Sequence, residues 1–154
     1  MVDRTRRAGF VFIELLVVIG IIAMLFGLSS FIDFNSYRGD AFRAEVRSLA
    51  SALQRARADA LNNIGEAKHG VAIHPDGFDG YVIFDGASYA TRNSARDVSI
   101  AASYGVDISP SSPPEIVFAQ LSGNAEYEGD IILIDPNRAM TARISINYEG
   151  RINW

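Results

Sequence analysis

Residues 9–28 read GFVFIELLVVIGIIAMLFGL, an almost unbroken apolar run in which Glu14 is the one charged residue. As an α-helix rising about 1.5 Å per residue, Phe10 to Leu28 spans about 28 Å, close to the roughly 30 Å hydrocarbon core of a bilayer. A helix of a soluble domain would carry polar residues at helical spacing along one side, and this run carries none. The run therefore predicts a membrane helix, which we place at 10–34 because apolar residues continue to Phe34.

The residues before the run predict its orientation. Residues 1–9 carry Arg4, Arg6 and Arg7 against Asp3, and such a basic leader is retained in the cytoplasm. We therefore expect a single-pass protein of the inner (cytoplasmic) membrane, with an extracytoplasmic domain at 35–154. Two alternatives stay open: an uncleaved anchor, and a cleaved secretory signal, which would have a shorter apolar region and a better small-x-small site than 27–29.

Glu14 distinguishes these alternatives. A carboxylate at the centre of a bilayer costs at least about 2.5–3.5 kcal/mol, and less near a helix end. Glu14 therefore either lies shallow enough to reach the interface or pairs with a cation inside the membrane. Cleavage after Gly9 would create such a cation, the α-ammonium of Phe10.

The ordered combination of a basic leader, Gly9-Phe10, Glu14 and an apolar run resembles the prepilin motif of type IV pilins and type II secretion pseudopilins. The resemblance implies that a prepilin peptidase cuts between Gly9 and Phe10 and methylates the new amino terminus at Phe10. It also implies that Glu14 pairs with the amino terminus of a neighbouring subunit in a filament. The chain departs from the motif at Val11 and Phe12, where a small hydroxyl residue and Leu are usual, and no proline interrupts its apolar helix.

Beyond the apolar run, residues 38–62 predict an amphipathic helix. Its apolar side chains recur at alternating steps of four and three residues: Phe42, Val46, Leu49, Leu53, Ala56 and Ala60. Off this stripe we expect a solvated face, formed by Arg43, Glu45, Arg47, Arg55 and Arg57. Ile64-Gly65 predicts the end of the helix.

After Gly70 the residue pattern changes to that of strands. Strands are predicted at 71–74 and 81–84, which form a hairpin, and at 97–101, 115–120, 130–134 and 142–148, with loops at 87–96 and 103–114. A helix followed by about six short strands predicts an α+β domain. We expect the long amino-terminal helix, half in the membrane and half amphipathic, to pack on one small antiparallel sheet.

Three shorter stretches of the domain carry a second resemblance. They are 53–60, 116–118 with Gly123, and 144–152. These stretches are similar to the subgroup that comprises the minor pseudopilin called H and the fimbrial T- and U-type minor pilins. The similarity implies a pilin-like fold for the domain.

Length, charge and cysteine content narrow the function classes. The 154 residues suffice for one ordinary domain, and 14 Lys and Arg against 18 Asp and Glu give a net charge of −4. This charge argues against a chain that coats nucleic acid. The absence of cysteine excludes disulfides, thiolate metal sites and a cysteine nucleophile.

Few residues suggest bound groups or catalysis. His69 and His74 are too few ligands for zinc, and the aspartates at 76, 79 and 85 lack the spacing of a calcium loop. We therefore predict no metal and no cofactor. No nucleophile elbow or phosphate-binding loop is recognisable, so we predict that the chain is not an enzyme.

Three arginines of the carboxyl-terminal region are candidate DNA contacts: Arg138, Arg143 and Arg151. Nearby carboxylates balance them in number, namely Asp130, Asp135 and Glu149. Clustering of these arginines on the folded domain would favour a DNA-binding role.

Together these observations predict a minor pilin or pseudopilin, a structural subunit of a type IV pilus or a type II secretion pseudopilus assembled from the inner membrane. Its expected partners are a prepilin peptidase, other pilin or pseudopilin subunits and, before assembly, membrane lipid. The alternative is a pilin-like binding subunit for DNA uptake or surface attachment.

Overall fold

The computed structural model describes the backbone of residues 6–29, 34–103, 106–137 and 139–154, and the side chains within 12–27 and from 39 onward. The chain divides into two units, Met1–Arg38 and Gly39–Trp154. Helix α1 (Arg6–Ser29) belongs to the first unit, and most of helix α2 (Phe34–Leu61) belongs to the second.

Helix α1 exposes every side chain from 12 to 27. Its large apolar residues in this range are all at least 46% exposed, and Phe26 is 72% exposed. Among the residues that the structure describes, no helix is both long and apolar enough to span a bilayer. The predicted membrane segment 10–34 includes 30–33, which lie outside the described residues, and Phe34 begins α2.

Helix α2 confirms the predicted amphipathic helix and begins four residues earlier than expected. All six residues of the predicted apolar stripe are buried. The expectation for Glu45 was wrong, because this residue is 2% exposed and lies on the buried side of the helix. The reason is that α2 is flanked by strands on more than one side, so its buried arc is wider than one stripe and also includes Ala50 and Ala52.

Within the described residues, the strands form two antiparallel four-stranded sheets rather than the one that was expected. The first sheet has the order β3-β2-β1-β5, formed by β1 (His69–Ile73), β2 (Gly80–Asp85), β3 (Val98–Ala101) and β5 (Glu115–Phe118). The second has the order β4-β6-β7-β8, formed by β4 (Asp107–Ile108), β6 (Gly129–Asp135), β7 (Met140–Ile146) and β8 (Ile152–Asn153).

All six predicted strands exist, with ends shifted by a few residues. Strands β4 and β8 were missed, and β4 lies inside the predicted loop 103–114. Each of these two strands is only two residues long and pairs at one end of a longer strand. A segment of this length has no readable alternation, so only its pairing partner defines it as a strand.

One hydrophobic core joins α2 to both sheets. The first sheet contributes side chains such as Ile83, Ile116 and Phe118, and the second contributes others such as Leu133 and Ile144. Residues of β6 and β7 alternate between this core and the surface, as period-two strands do. The domain therefore buries the apolar side of α2 among its own strands.

The first sheet is covered on its other face as well, which is why β1 and β2 are buried at every position. Phe84 lies there against Tyr89, whose ring is edge-on at 5.9 Å. A Cβ atom on Gly70 would lie only 2.5 Å from Cζ of Phe84, so the ring depends on glycine at this position. The segment around Tyr89 covers this face and is held by a hydrogen bond from the Tyr89 amide to Oε2 of Glu115 at 2.7 Å.

Candidate functional site

The amino-terminal motif lies on α1. The predicted cleavage bond between Gly9 and Phe10 falls near the start of this helix, which begins at Arg6. The side chains of both residues lie outside the described part of the chain. Cleavage and methylation at this bond therefore remain predictions.

Glu14 follows Phe10 by one helical turn and is exposed. Its described neighbours along α1 are apolar, from Phe12 and Ile13 before it to Leu15 through Ile19 after it. A carboxylate among apolar side chains is stable in water, but it needs a cationic partner once lipid or other helices surround α1. The local chemistry of Glu14 is thus compatible with a pairing role after cleavage.

The candidate DNA-contacting arginines do not form one group in the described part of the domain. Arg138 lies outside the described residues. Arg143 is exposed, and its Nη1 lies 3.2 Å from Oδ2 of Asp130. The other oxygen of this carboxylate, Oδ1, accepts a hydrogen bond from the Ser145 hydroxyl. The side chain of Arg151 lines a surface depression together with Arg57, and Arg143 does not line it. The DNA contact stays a prediction, and this geometry adds no support to it because phosphate binding needs uncompensated positive charge in one place.

The sequence predicted Arg57 on the solvated face of α2, and this prediction was wrong. Instead of extending into solvent, its Nε donates to the Gly123 carbonyl at 3.2 Å and its Nη2 to the Glu149 carbonyl at 2.9 Å. Gly150 leaves the room for this contact, since a Cβ there would lie 2.7 Å from Nε of Arg57. Arg57 therefore ties α2 to two distant turns.

The histidines and aspartates are held by other contacts. His69 is buried, and its Nε2 donates to the Ile64 carbonyl at 2.7 Å. His74 is exposed, with Nε2 3.6 Å from Oδ1 of Asp79. Asp85 accepts a hydrogen bond from Nη1 of Arg96 at 2.8 Å. Across the described ranges, no group of three His, Asp or Glu residues is placed to hold a metal ion.

A buried polar cluster between α2 and the first sheet was missed by the sequence analysis. One oxygen of Glu45 accepts a hydrogen bond from the Tyr81 hydroxyl, and the other accepts one from the Ser103 amide at 2.7 Å. Burial, and then the hydrogen bond to Glu45, raise the pKa of Tyr81 well above its usual value. The signal was present, because Glu45 lies three residues after Phe42 and four before Leu49, which places it on the apolar face of a helix.

Comparison with known proteins gives one informative match. No protein-family model and no curated protein sequence matches the chain. Among solved structures, the crystal structure of the type IV minor pilin FimU of Pseudomonas aeruginosa matches with a TM-score of 0.52 and 17% sequence identity. The match covers 72% of this chain and 90% of that one. The α+β domain, with its helix packed on antiparallel sheets, therefore has a pilin-like fold.

Proposed function

We propose that this chain is a minor pilin or pseudopilin, a structural subunit that leaves the inner membrane to enter a filament. One combination carries the proposal: an exposed apolar helix with a single carboxylate, Glu14, follows a basic leader and precedes a domain with a pilin-like fold. The likeness to a type IV minor pilin supports a pilus, and the leader motif is shared with secretion pseudopilins.

The exposed side chains of α1 support a role for this helix in assembly. A helix that is apolar on all sides is stable when lipid or other helices surround it. Before assembly the bilayer would cover α1, with the leader in the cytoplasm and the domain outside the membrane. In a filament, the α1 helices of neighbouring subunits would take the place of lipid.

The first experiment tests processing. The chain is produced in cells with an active prepilin peptidase, extracted from the membrane and measured by intact mass. We expect a chain that begins at Phe10 and carries one added methyl group. Gly9→Val should block cleavage, because the added isopropyl group does not fit where the peptidase accepts hydrogen, whereas the neighbouring Ala8→Val should not. A mature chain that begins at Met1 or Ser30 would contradict the proposal.

The second experiment tests assembly. Once the leader is removed, the Phe10 ammonium and Glu14 are both poorly solvated inside a helical bundle. Pairing between neighbouring subunits would compensate both charges and set the axial offset of the helices. Glu14→Gln should therefore leave processed protein in the membrane at parental levels and strongly lower its entry into filaments.

Two further variants separate assembly from membrane insertion. Glu14→Leu should insert at least as well as the parent, because loss of a charge lowers the insertion cost, and should still fail to assemble. Ile13→Leu, which changes the shape of an adjacent apolar residue only, should assemble normally. If Glu14→Gln entered filaments at parental levels, Glu14 would be a shallow interfacial residue and the filament role would lose its main support.

A further inference from the structure

An open groove lies where α2 meets β7 and the carboxyl terminus, with a volume of about 340 Å³. It is lined by Phe42, Arg43, Val46, Arg47, Met140, Ala142 and Trp154. The floor is apolar: the phenylalanine and valine of α2 are buried, and the two residues of β7 are half-buried. Arg43, Arg47 and the indole of Trp154 are exposed at the rim.

The rim carries positive charge that the described domain compensates only weakly. Nη1 of Arg43 lies 4.0 Å from Oδ1 of Asp40, and both side chains are at least 70% exposed. No ion pair of Arg47 occurs within the described part of the chain. An exposed ion pair such as that of Arg43 with Asp40 contributes little to stability. Both guanidinium groups are therefore available to a carboxylate from outside.

The rest of the domain has the opposite charge. Residues 62–154 contain 12 acidic and six basic side chains, whereas the exposed arginines of residues 39–61 are Arg43, Arg47 and Arg55, against Asp40 and Asp59. The exposed side of α2 is thus a basic surface on an acidic domain. This separation favours contact between the helix surface of one copy and an acidic surface of another.

The turn between β1 and β2 has the chemistry that the groove requires. It comprises Pro75 to Asp79 and presents Phe78 between two exposed carboxylates, Asp76 and Asp79. Phe78 is 37% exposed. In the described residues, Asp79 has one possible ion pair, with His74 at 3.6 Å, and it forms only when the histidine is protonated. An aromatic ring between two acids matches an apolar floor between two arginines.

The turn is held on its own domain. The Phe78 amide donates to the Pro75 carbonyl at 2.9 Å, and the Ala102 amide donates to the Asp79 carbonyl at 3.0 Å. The turn belongs to the first sheet, whereas the groove is formed with β7 of the second. A turn that is held by backbone hydrogen bonds and does not fill the groove of its own chain is suited to the groove of another.

We propose that the β1–β2 turn of one copy docks into the α2–β7 groove of the next copy, with Phe78 on the apolar floor and Asp76 and Asp79 facing Arg43 and Arg47. This inference rests on the proposed function in taking a neighbouring subunit as the partner. Turn and groove are different patches of one surface, so the contact is heterologous. Repetition of a heterologous contact that does not close into a ring generates a helical row of subunits.

Disulfide trapping tests the contact in the full chain, which has no cysteine of its own. Two chains with tags of different size are produced together in the membrane, one carrying Asp79→Cys and the other Met140→Cys. Mild oxidation should yield a mixed dimer. Thr141→Cys is the matched control, because Thr141 is adjacent on β7 and exposed, whereas Met140 lines the groove. Its yield with Asp79→Cys should be several-fold lower.

Charge reversal tests why the contact forms. With cysteine at 79, Asp76 is the carboxylate left in the turn. Arg47→Glu in the Met140→Cys chain, or Asp76→Lys in the Asp79→Cys chain, should each lower the mixed-dimer yield several-fold, and the two together should restore it. Arg55→Glu, which reverses another exposed arginine of α2, should leave the yield unchanged. Restoration by the double change separates charge pairing from damage to folding.

Each outcome decides between the contact and the function. Equal yields with cysteine at 140 and 141, a pair of reversals that fails to restore the dimer, or a Met140→Cys chain that crosslinks only to other proteins would overturn the docking contact. A chain that enters filaments without forming the 79–140 dimer removes this contact and leaves the filament role intact. A chain that forms the dimer but never enters filaments supports this contact and removes the filament role.

Discussion

The two helices differ in where their apolar side chains lie. In α1, every side chain from 12 to 27 is exposed although almost all are apolar, whereas in α2 the apolar stripe is buried. The apolar residues of α2 recur every three or four positions and can all face the strands, but those of α1 surround the helix and have no single face to bury. An amphipathic helix is covered by its own chain. A helix that is apolar all round needs lipid or other chains.

The largest expected effect tests this contrast directly. Leu53→Asp places a charge at a fully buried position of α2 and should reduce the free energy of unfolding by about 4 kcal/mol or more. Leu16→Asp, at an exposed position of α1, should leave the unfolding curve of the domain unchanged. The measurement is urea unfolding of the full chain in detergent, followed by near-ultraviolet circular dichroism. A domain that tolerates Leu53→Asp would remove our account of the core.

A pair of glycines gives a smaller contrast of the same kind. Gly70→Ala forces a methyl group against Phe84 and the Ile116 carbonyl and should cost about 1–3 kcal/mol by overpacking. Gly20→Ala in α1 meets nothing within 4 Å and should not lower helix content. Thermal unfolding compares the two variants. Equal melting temperatures for Gly70→Ala and the parent would show that the ring of Phe84 moves freely.

The contrast between covered and uncovered side chains can be sharpened within α2. Arg57→Ala removes two hydrogen bonds, one part-buried and one exposed, and should cost about 1–2 kcal/mol. Arg55→Ala removes an exposed pair with Asp59 at 3.9 Å and should change stability by less than about 0.5 kcal/mol. Urea midpoints distinguish these outcomes. Similar losses in both variants would mean that the hydrogen bonds of Arg57 to the carbonyls of Gly123 and Glu149 do not set the cost.

The smallest expected effect is a pH dependence of the free energy of unfolding, which we attribute to the buried Tyr81. Because the folded state raises the pKa of Tyr81, both states keep the proton below about pH 10. Above that pH the unfolded chain loses the proton first, so the free energy of unfolding should fall, by at most about 1.4 kcal/mol per pH unit. Tyr81→Phe should remove this part of the slope, whereas Tyr148→Phe, at an exposed position, should retain it. Parallel curves for the parent and Tyr81→Phe would contradict the shift.

Local patterns were enough to predict much of the fold. The apolar stripe of α2 and the six longer strands each extend over at least four residues with a regular period, so their pattern can be read without knowing a partner. The candidate site around Glu14 is also defined by the order of neighbouring residues, and its role stays a prediction. The two-residue strands β4 and β8 have no such pattern and exist through their pairing alone.

The sequence by itself determined which of the longer segments are helix or strand, and that α1 is apolar around its whole circumference. Only the tertiary structure decided that Tyr81 is the partner of Glu45 and that the strands divide into two sheets. It also decided that Arg57 is bonded to turns 66 and 92 residues away. Periodicity reports the neighbours of a residue along the chain. The partner of a charge is set by segments far apart in sequence, which meet only when the core forms.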